Sequence, residues 1–82
     1  MIVGVAKTLF AADGQRAALI ALATALQESG LRNLAHGDRD SVGLFQQRPS
    51  AGWGSVEQIM DPAYAAGRFY RALADVSGWR RL

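Results

Sequence analysis

Residues 25–47 read ALQESGLRNLAHGDRDSVGLFQQ, and this stretch joins two kinds of local structure. Its first residues end an alanine-rich segment, residues 15–29, in which apolar side chains recur at helical spacing. Gly30 is typical of the end of such a helix. Residues 31–54 follow neither a helical nor a strand period and are rich in glycine. A loop of this length in a small domain is usually functional, and we predict an irregular loop or short hairpin here.

Helical patterns also lie on both sides of this stretch. Apolar residues recur at helical spacing over residues 2–12, which predicts a first helix. Asp61 and Pro62 are typical of the start of a last helix, because the aspartate caps it and the proline lacks only an unused N–H. The apolar face of that helix extends to Val76, and Gly78 is expected to end it. The sequence thus predicts a mainly α domain with three helices around a glycine-rich middle.

Length and composition exclude several classes of protein. The chain has 82 residues and a mass of 8.8 kDa, so we predict one domain over residues 1–82 with a thin core. Half of the residues are apolar, which excludes a disordered tail. Without cysteine, and with His36 as the single histidine, the sequence offers no disulfide and predicts no metal or organic cofactor. No apolar run approaches the ~20 residues of a membrane helix.

The formal net charge is +2, from nine basic and seven acidic residues. The basic residues are scattered rather than gathered into the stripe that is typical of nucleic-acid binding, so we expect no nucleic-acid partner. A helix-turn-helix protein is a weaker alternative, because its turn uses only a few residues. A mild attraction to an anionic polymer such as a bacterial cell wall fits the charge better. Residues 1–10 are apolar but are interrupted by Lys7, and with no basic region and no clean cleavage site they do not make a convincing signal peptide.

Carboxylates supply the first candidates for chemistry. Glu28 precedes the end of the helix over residues 15–29 by one residue, at the edge of the loop. A carboxylate is disfavoured there by the helix dipole. A carboxyl group that leans on apolar surface has a raised pKa and can serve as a general acid, but a solvated glutamate is the structural alternative. Asp38 and Asp40 flank Arg39, and they offer either a second catalytic carboxylate or turn-forming aspartates paired to Arg39.

Amides and aromatic rings supply the second set of candidates. Residues 43–47 read GLFQQ, and the amides of Gln46 and Gln47 can both donate to and accept from sugar hydroxyls and N-acetyl groups. Aromatic side chains provide flat surfaces for sugars, although packing in the core is the commoner role of each. The candidates for stacking are Trp53, Tyr64, Tyr70 and Trp79.

Three motifs in this order resemble the lysozyme-like superfamily. They are ALQESGL at residues 25–31, GLFQQ at residues 43–47 and Asp61-Pro62 at the start of a helix. Soluble lytic transglycosylases and goose-type lysozymes share a Glu-Ser pair at a helix end, a Gly-Leu-Met-Gln segment about fifteen residues later, and a later helix opened by Asp-Pro; Phe45 here replaces the methionine. The chain looks most like the short domains of actinobacterial secreted proteins and of phages that infect those bacteria.

The resemblance implies that Glu28 is the catalytic acid of a muramidase or lytic transglycosylase. Its substrate would be the β-1,4 bond between N-acetylmuramic acid and N-acetylglucosamine in peptidoglycan. Asp38, in Gly37-Asp38-Arg39, is similar to the second carboxylate of goose-type lysozymes, whereas lytic transglycosylases use the glutamate alone. Arg48 stands where some goose-type enzymes carry a further aspartate. The substrate-binding residues carried over to this chain or suggested by residue type are Ser29, Phe45, Gln46, Gln47 and Tyr70.

These expectations extend to partners and location. The partner would be the glycan strands of peptidoglycan, with no nucleic acid and no membrane, and the protein would act outside the cell, in the cell wall, or in a phage particle or phage lysis. Both families are longer than 82 residues, so we expect a monomer, or a truncated or excised part of a larger chain. The alternative on the same fold is a non-catalytic module that binds cell wall or builds a phage or secreted assembly.

Overall fold

A computed structural model describes residues 1–10 and 13–81 of the chain. Within these ranges the domain is mainly α, as the sequence predicts, and its α-helices are α1 (Ile2–Phe10), α2 (Gly14–Ser29), α3 (Val56–Met60) and α4 (Pro62–Ala74). Two short 3₁₀ turns are added at Pro49–Ala51 and Trp79–Arg81. None of these helices combines the length and the apolar character that crossing a membrane requires.

The first two helices form largely as expected. The prediction for the first helix extends to Ala11 and Ala12, which lie outside the described residues. Gly30 ends α2 in the left-handed conformation, with φ of 66°, and its N–H bonds to carbonyl oxygens of the last turn. Asp13 precedes α2, but its side chain does not cap the helix. Its carboxylate instead pairs with Arg80, at 2.6 Å between Oδ2 and Nε.

The second half of the chain departs from prediction at two points. Helix α3 is not among the three helices predicted from the sequence; Ser55 and Gln58 form a reciprocal capping box that starts it. Helix α4 begins as predicted, because Asp61 Oδ1 accepts the Ala63 N–H at 3.0 Å and Pro62 follows. The same helix ends at Ala74, well before Gly78, so Val76 lies beyond it with 49% of its surface exposed.

The core lies between α1, α2 and α4. Small side chains let the helices approach closely, and the buried alanines of α2 are Ala17, Ala18, Ala21 and Ala25. Tyr70 of α4 is fully buried, and its hydroxyl donates to the Ile2 carbonyl of α1 at 3.0 Å. Phe10 packs edge-on against Tyr70 at 5.5 Å and against Trp79 at 4.9 Å between ring centroids. These contacts fix α1 on α4.

The segment over residues 30–55, called here the groove segment, is ordered without forming a regular hairpin. Its ladder consists of one antiparallel bridge in which Val42 and Gln47 exchange two N–H···O bonds of 3.0 Å. Gly43 has φ of 86°, and a Cβ there would lie 3.0 Å from Ile59 Cγ2 of α3. Asn33 Nδ2 also donates to the Met60 carbonyl, at 2.8 Å. These contacts tie the segment to α3.

Candidate active site

A groove of about 270 Å³ opens where the end of α2, the groove segment and α4 meet. It brings together five residues that the sequence singled out as candidates, one carboxylate, two aromatic rings and two amides, and it adds three more. The lining residues are Thr24, Glu28, Phe45, Gln46, Gln47, Arg48, Trp53 and Phe69. The spacing of the two sequence motifs thus corresponds to a shared surface rather than to two separate features.

Glu28 stands in the last turn of α2 at the edge of this groove. The residue is exposed, so the prediction of a carboxyl group withdrawn from water is wrong for the unliganded protein. Its exposure follows from the helix geometry, because neighbouring Ala25 and Ser29 occupy the buried face of α2. Among residues 1–10 and 13–81, no side chain or backbone group forms a hydrogen bond or ion pair with the Glu28 carboxylate.

Ser29 connects α2 to the groove segment instead of facing a ligand. It is buried, and its Oγ lies 2.7 Å from the Leu44 carbonyl oxygen and 3.0 Å from that of Ala25. The same Oγ accepts the Arg32 N–H at 3.2 Å. The prediction that Ser29 contacts substrate is therefore corrected to a positioning role, in which it fixes the end of α2 beside the GLFQQ motif.

Gln46 lines the groove, and its amide nitrogen is held by two backbone carbonyls of the groove segment. Its backbone is left-handed, with φ of 49°, and its Nε2 donates to the carbonyl oxygens of Gly43 at 3.0 Å and His36 at 3.2 Å. Any side chain at residue 37 would overlap Gln46 Oε1, which explains the glycine there. Both hydrogens of Nε2 are thus used within the groove segment, which fixes the orientation of the amide.

Gln47 lies beneath the groove and holds its base. The residue is only 4% exposed, and its Nε2 donates to the Ala65 carbonyl of α4 at 3.2 Å. Its Oε1 is buried without a hydrogen-bond partner among the described residues. Because that oxygen is closed off from solvent, the predicted role of Gln47 in contacting substrate gives way to a structural one.

Aromatic rings line the groove on the side of α4. Phe45 and Phe69 stack at 4.8 Å between centroids with an interplanar angle of 13°. The Trp53 ring carries the Arg68 guanidinium at 4.7 Å, and the Trp53 carbonyl accepts the Tyr64 hydroxyl at 3.1 Å. Trp53 was one of four candidates for stacking on a sugar, and the glycines at residues 52 and 54 were the sequence feature that could have distinguished it from the others. Phe69 gave no signal, because its spacing on α4 was equally that of a core residue.

Tyr70, predicted to bind substrate, is not part of the groove lining and points from α4 into the core. Successive residues of a helix point about 100° apart, so Phe69 can line the groove while its neighbour enters the core. Tyr70 is fully buried, and burial raises its pKa to about 12. A ligand in the groove cannot reach this ring, and its role is corrected to one in the core.

The two loop aspartates take different positions. Asp38 is exposed and is not part of the groove lining; its backbone carbonyl accepts the Ser41 N–H at 3.1 Å. Asp40 pairs with Arg48 rather than with Arg39, at 2.7 Å between Oδ1 and Nε. The guanidinium and the Ser50 N–H hold the pKa of Asp40 well below its usual range. Within the described ranges, Glu28 is thus the one carboxylate in the groove lining.

Comparisons of the chain with models of protein families, with curated proteins and with solved structures gave no match in any of the three. In the described part of the chain, no three histidine, aspartate or glutamate side chains gather into a group that could hold a metal ion. The functional argument therefore depends on the motifs and on the chemistry of the groove.

Proposed function

We propose that the groove binds a glycan strand of peptidoglycan and that Glu28 cleaves the β-1,4 bond between N-acetylmuramic acid and N-acetylglucosamine. The observation that carries this proposal is an unpaired carboxylate at the edge of a groove that is lined by aromatic rings and by Gln46. Because no cation is bonded to Glu28, its protonation breaks no ion pair. The Glu-Ser and Gly-Leu-Phe-Gln motifs, in their order and spacing, support the same function.

The lining of the groove combines apolar surfaces that can contact the face of a pyranose ring with polar groups that can contact its edges. The C–H face of a sugar packs against aromatic rings such as those of Trp53 and Phe69. Its hydroxyl and acetamido groups pair with polar side chains, and the lining includes Thr24, Gln46 and Arg48. A glycan that covers the groove also removes water from Glu28, and loss of water favours the neutral acid that a proton donor must be. Ligand binding would thus supply the burial that the free protein lacks.

The single carboxylate in the groove favours lytic transglycosylation over a scheme with two carboxylates. Glu28 would protonate the bridging oxygen as the bond to C1 of the muramic acid breaks, which releases the 4-hydroxyl of N-acetylglucosamine. The resulting carboxylate would then take the proton of the muramyl 6-hydroxyl while that oxygen bonds to C1. The product carries a 1,6-anhydro ring, Glu28 regains its proton, and no water is consumed.

This proposal determines the setting in which the protein acts. Peptidoglycan lies outside the cytoplasm, so the protein would work in the cell wall, outside the cell, or as part of phage entry or lysis. A net charge of +2 with scattered cations suits weak attraction to an anionic wall. We propose neither a nucleic acid nor a membrane as a partner.

A non-catalytic cell-wall-binding module is the second candidate. The exposure of Glu28 and the open groove favour it, since a binder needs the rings and amides but no withdrawn acid. This module would retain peptidoglycan in a pull-down without releasing soluble fragments. A structural part of a phage or secreted assembly would neither retain peptidoglycan nor release fragments from it.

Digestion of purified peptidoglycan followed by mass analysis tests the proposed activity. We expect fragments that end in anhydromuramic acid, lighter by one water than hydrolysed ends. Glu28→Gln should lower the rate about 10²- to 10⁴-fold, because it removes the proton donor. Glu57→Gln is the matched control, since Glu57 is exposed on α3 outside the groove and should leave the rate unchanged. Equal rates for Glu28→Gln and the native protein would overturn the assignment.

A further inference from the structure

One ion pair borders the groove, and it joins two turns of the groove segment. Both oxygens of Asp40 are engaged: Oδ1 accepts Arg48 Nε at 2.7 Å and Oδ2 accepts the Ser50 N–H at 2.9 Å. Arg48 Nη2 donates to Ser50 Oγ at 3.1 Å. The guanidinium is thus held on one edge by Asp40 and by the 3₁₀ turn that follows it. The two side chains are 40% and 38% exposed, so solvent reaches the pair.

Arg48 and Glu28 line the same groove, although they are not bonded to each other. Two further cations lie near the groove: the Arg68 guanidinium of α4 lies over the Trp53 ring at 4.7 Å, and Arg32 Nε donates to the Ser29 carbonyl beside Glu28 at 3.4 Å. His36 meets the site only through its carbonyl, which accepts from Gln46. Of these cations, Arg48 is the one that lines the groove together with Glu28.

We infer that Asp40 is a positioning residue, which holds the Arg48 guanidinium away from the Glu28 carboxylate and so keeps that carboxylate free to take up a proton. This inference rests on the proposed role of Glu28 as the acid. An arginine keeps its charge throughout the working range of pH, so an Arg48–Glu28 pair would favour the ionised carboxylate permanently. Asp40 prevents this pairing because one of its oxygens binds Arg48 Nε and the other binds the Ser50 N–H, and these bonds hold the guanidinium in place.

Removal of Asp40 should therefore change the pH dependence of catalysis and not only its rate. In Asp40→Ala, Arg48 gains the freedom to pair with Glu28, and the alkaline limb of the pH–activity profile should move down by about 1 pH unit. The double variant Asp40→Ala/Arg48→Gln has no guanidinium to pair, so its limb should return to the native position. Asp13→Ala is the matched control, because it removes the exposed Asp13–Arg80 pair away from the groove.

The double variant also separates two physical causes. Loss of the Asp40 charge and a freed Arg48 would both favour the ionised form of Glu28 in Asp40→Ala, and removal of Arg48 takes away the contribution of the guanidinium. A shifted limb in Asp40→Ala that is equally shifted in the double variant would overturn the inference. An unshifted limb in Asp40→Ala would overturn it as well, since Asp40 would then act only on the structure of the loop.

A second readout tests the inference without relying on turnover. The side-chain carboxyl carbon of Glu28 can be followed by NMR as the pH is changed in the native protein and in the three variants. We expect the titration midpoint of Glu28 to fall by about 1 pH unit in Asp40→Ala alone. If this shift is seen but the protein does not cleave peptidoglycan, the proposed function is refuted, whereas the inferred effect of Asp40 on Glu28 is not. Equal midpoints in all four proteins would refute the inference, whatever the activity.

Discussion

The helical core and the groove segment are held together by different means. Between α1, α2 and α4, alanines and aromatic rings are closely packed, so each side chain is held by several neighbours at once. The groove segment over residues 30–55 depends on separate polar bonds, such as Ser29 Oγ to the Leu44 carbonyl, and on left-handed backbone at Gly43 and Gln46. A change in the core should therefore lower the stability of the whole domain, whereas a change in the segment should act on the groove.

Adjacent residues of α4 mark the border between these regions. Phe69 lines the groove and stacks on Phe45, while Tyr70 is fully buried and bonded to α1. Their rings also touch each other, at 5.8 Å between centroids. The groove is thus built directly on the core, and variants on each side of this border can show how independent the two regions are.

The largest effect is expected from truncation in the core. Tyr70→Ala should lower the free energy of unfolding by about 3–5 kcal/mol, because it leaves a cavity and an unpaired Ile2 carbonyl. Trp53→Ala, on the groove side, should cost about 1 kcal/mol at most, since its ring is partly exposed and stacks on one cation. Urea unfolding of both variants measures the difference. Similar losses would mean that the groove is part of the core.

An intermediate effect is expected at glycines of the groove segment. Gly43 and Gly52 have nearly equal φ, 86° and 84°, but only at Gly43 would a Cβ meet other atoms, Ile59 Cγ2 at 3.0 Å and the Ile59 carbonyl at 3.1 Å. Gly52→Ala should cost the left-handed strain alone, about 1 kcal/mol. Gly43→Ala should cost about 1–3 kcal/mol more, because α3 must also shift. Equal unfolding midpoints for the two variants would show that contact with α3 is unimportant.

The smallest effect is expected from the Tyr70 hydroxyl. The pKa of Tyr70 is raised to about 12 by burial, so the folded state retains this proton where the unfolded chain has lost it. The stability supplied by the hydroxyl is complete below pH 10 and is lost as the pH rises through 12. Tyr70→Phe should cost about 1 kcal/mol at neutral pH and should show a weaker alkaline loss. An identical alkaline dependence in the variant would place the titrating group elsewhere.

Local signals predicted the helices well, and they did so through particular residues. Asp61 and Pro62 started α4 as expected, and Gly30 ended α2. Helix α3 was missed because its capping box lies in a stretch too short for an apolar period to appear. The end of α4 was placed too late, because Val76 continues the apolar spacing after the helix has stopped. The spacing of apolar residues shows which side chains could share one face of a helix, whereas the residue at which the helix ends depends on the backbone conformation.

The groove was only partly predictable, because bonds between distant residues form it. The motifs indicated Glu28, Phe45 and Gln46, and these do line one surface. Nothing local separates Phe69 from Tyr70, or shows that Ser29 bonds to a carbonyl fifteen residues away. The sequence left the exposure of Glu28 open between a solvated and a withdrawn carboxyl group, because it depends on which face of α2 the groove segment covers. Whether Asp38 takes part in catalysis stays a prediction, and its place outside the groove gives it no support.

The central claim, that a glycan occupies the groove beside Glu28, is tested most directly by the chain's two tryptophans. Trp53 lines the groove and Trp79 is 3% exposed in the core, so their indole N–H signals report on the two regions separately. A tetrasaccharide of alternating N-acetylglucosamine and N-acetylmuramic acid would be titrated into Glu28→Gln, which prevents turnover. We predict a saturable shift of the Trp53 signal while that of Trp79 stays in place. A Trp53 signal that does not move, or that moves only together with Trp79, would contradict the account.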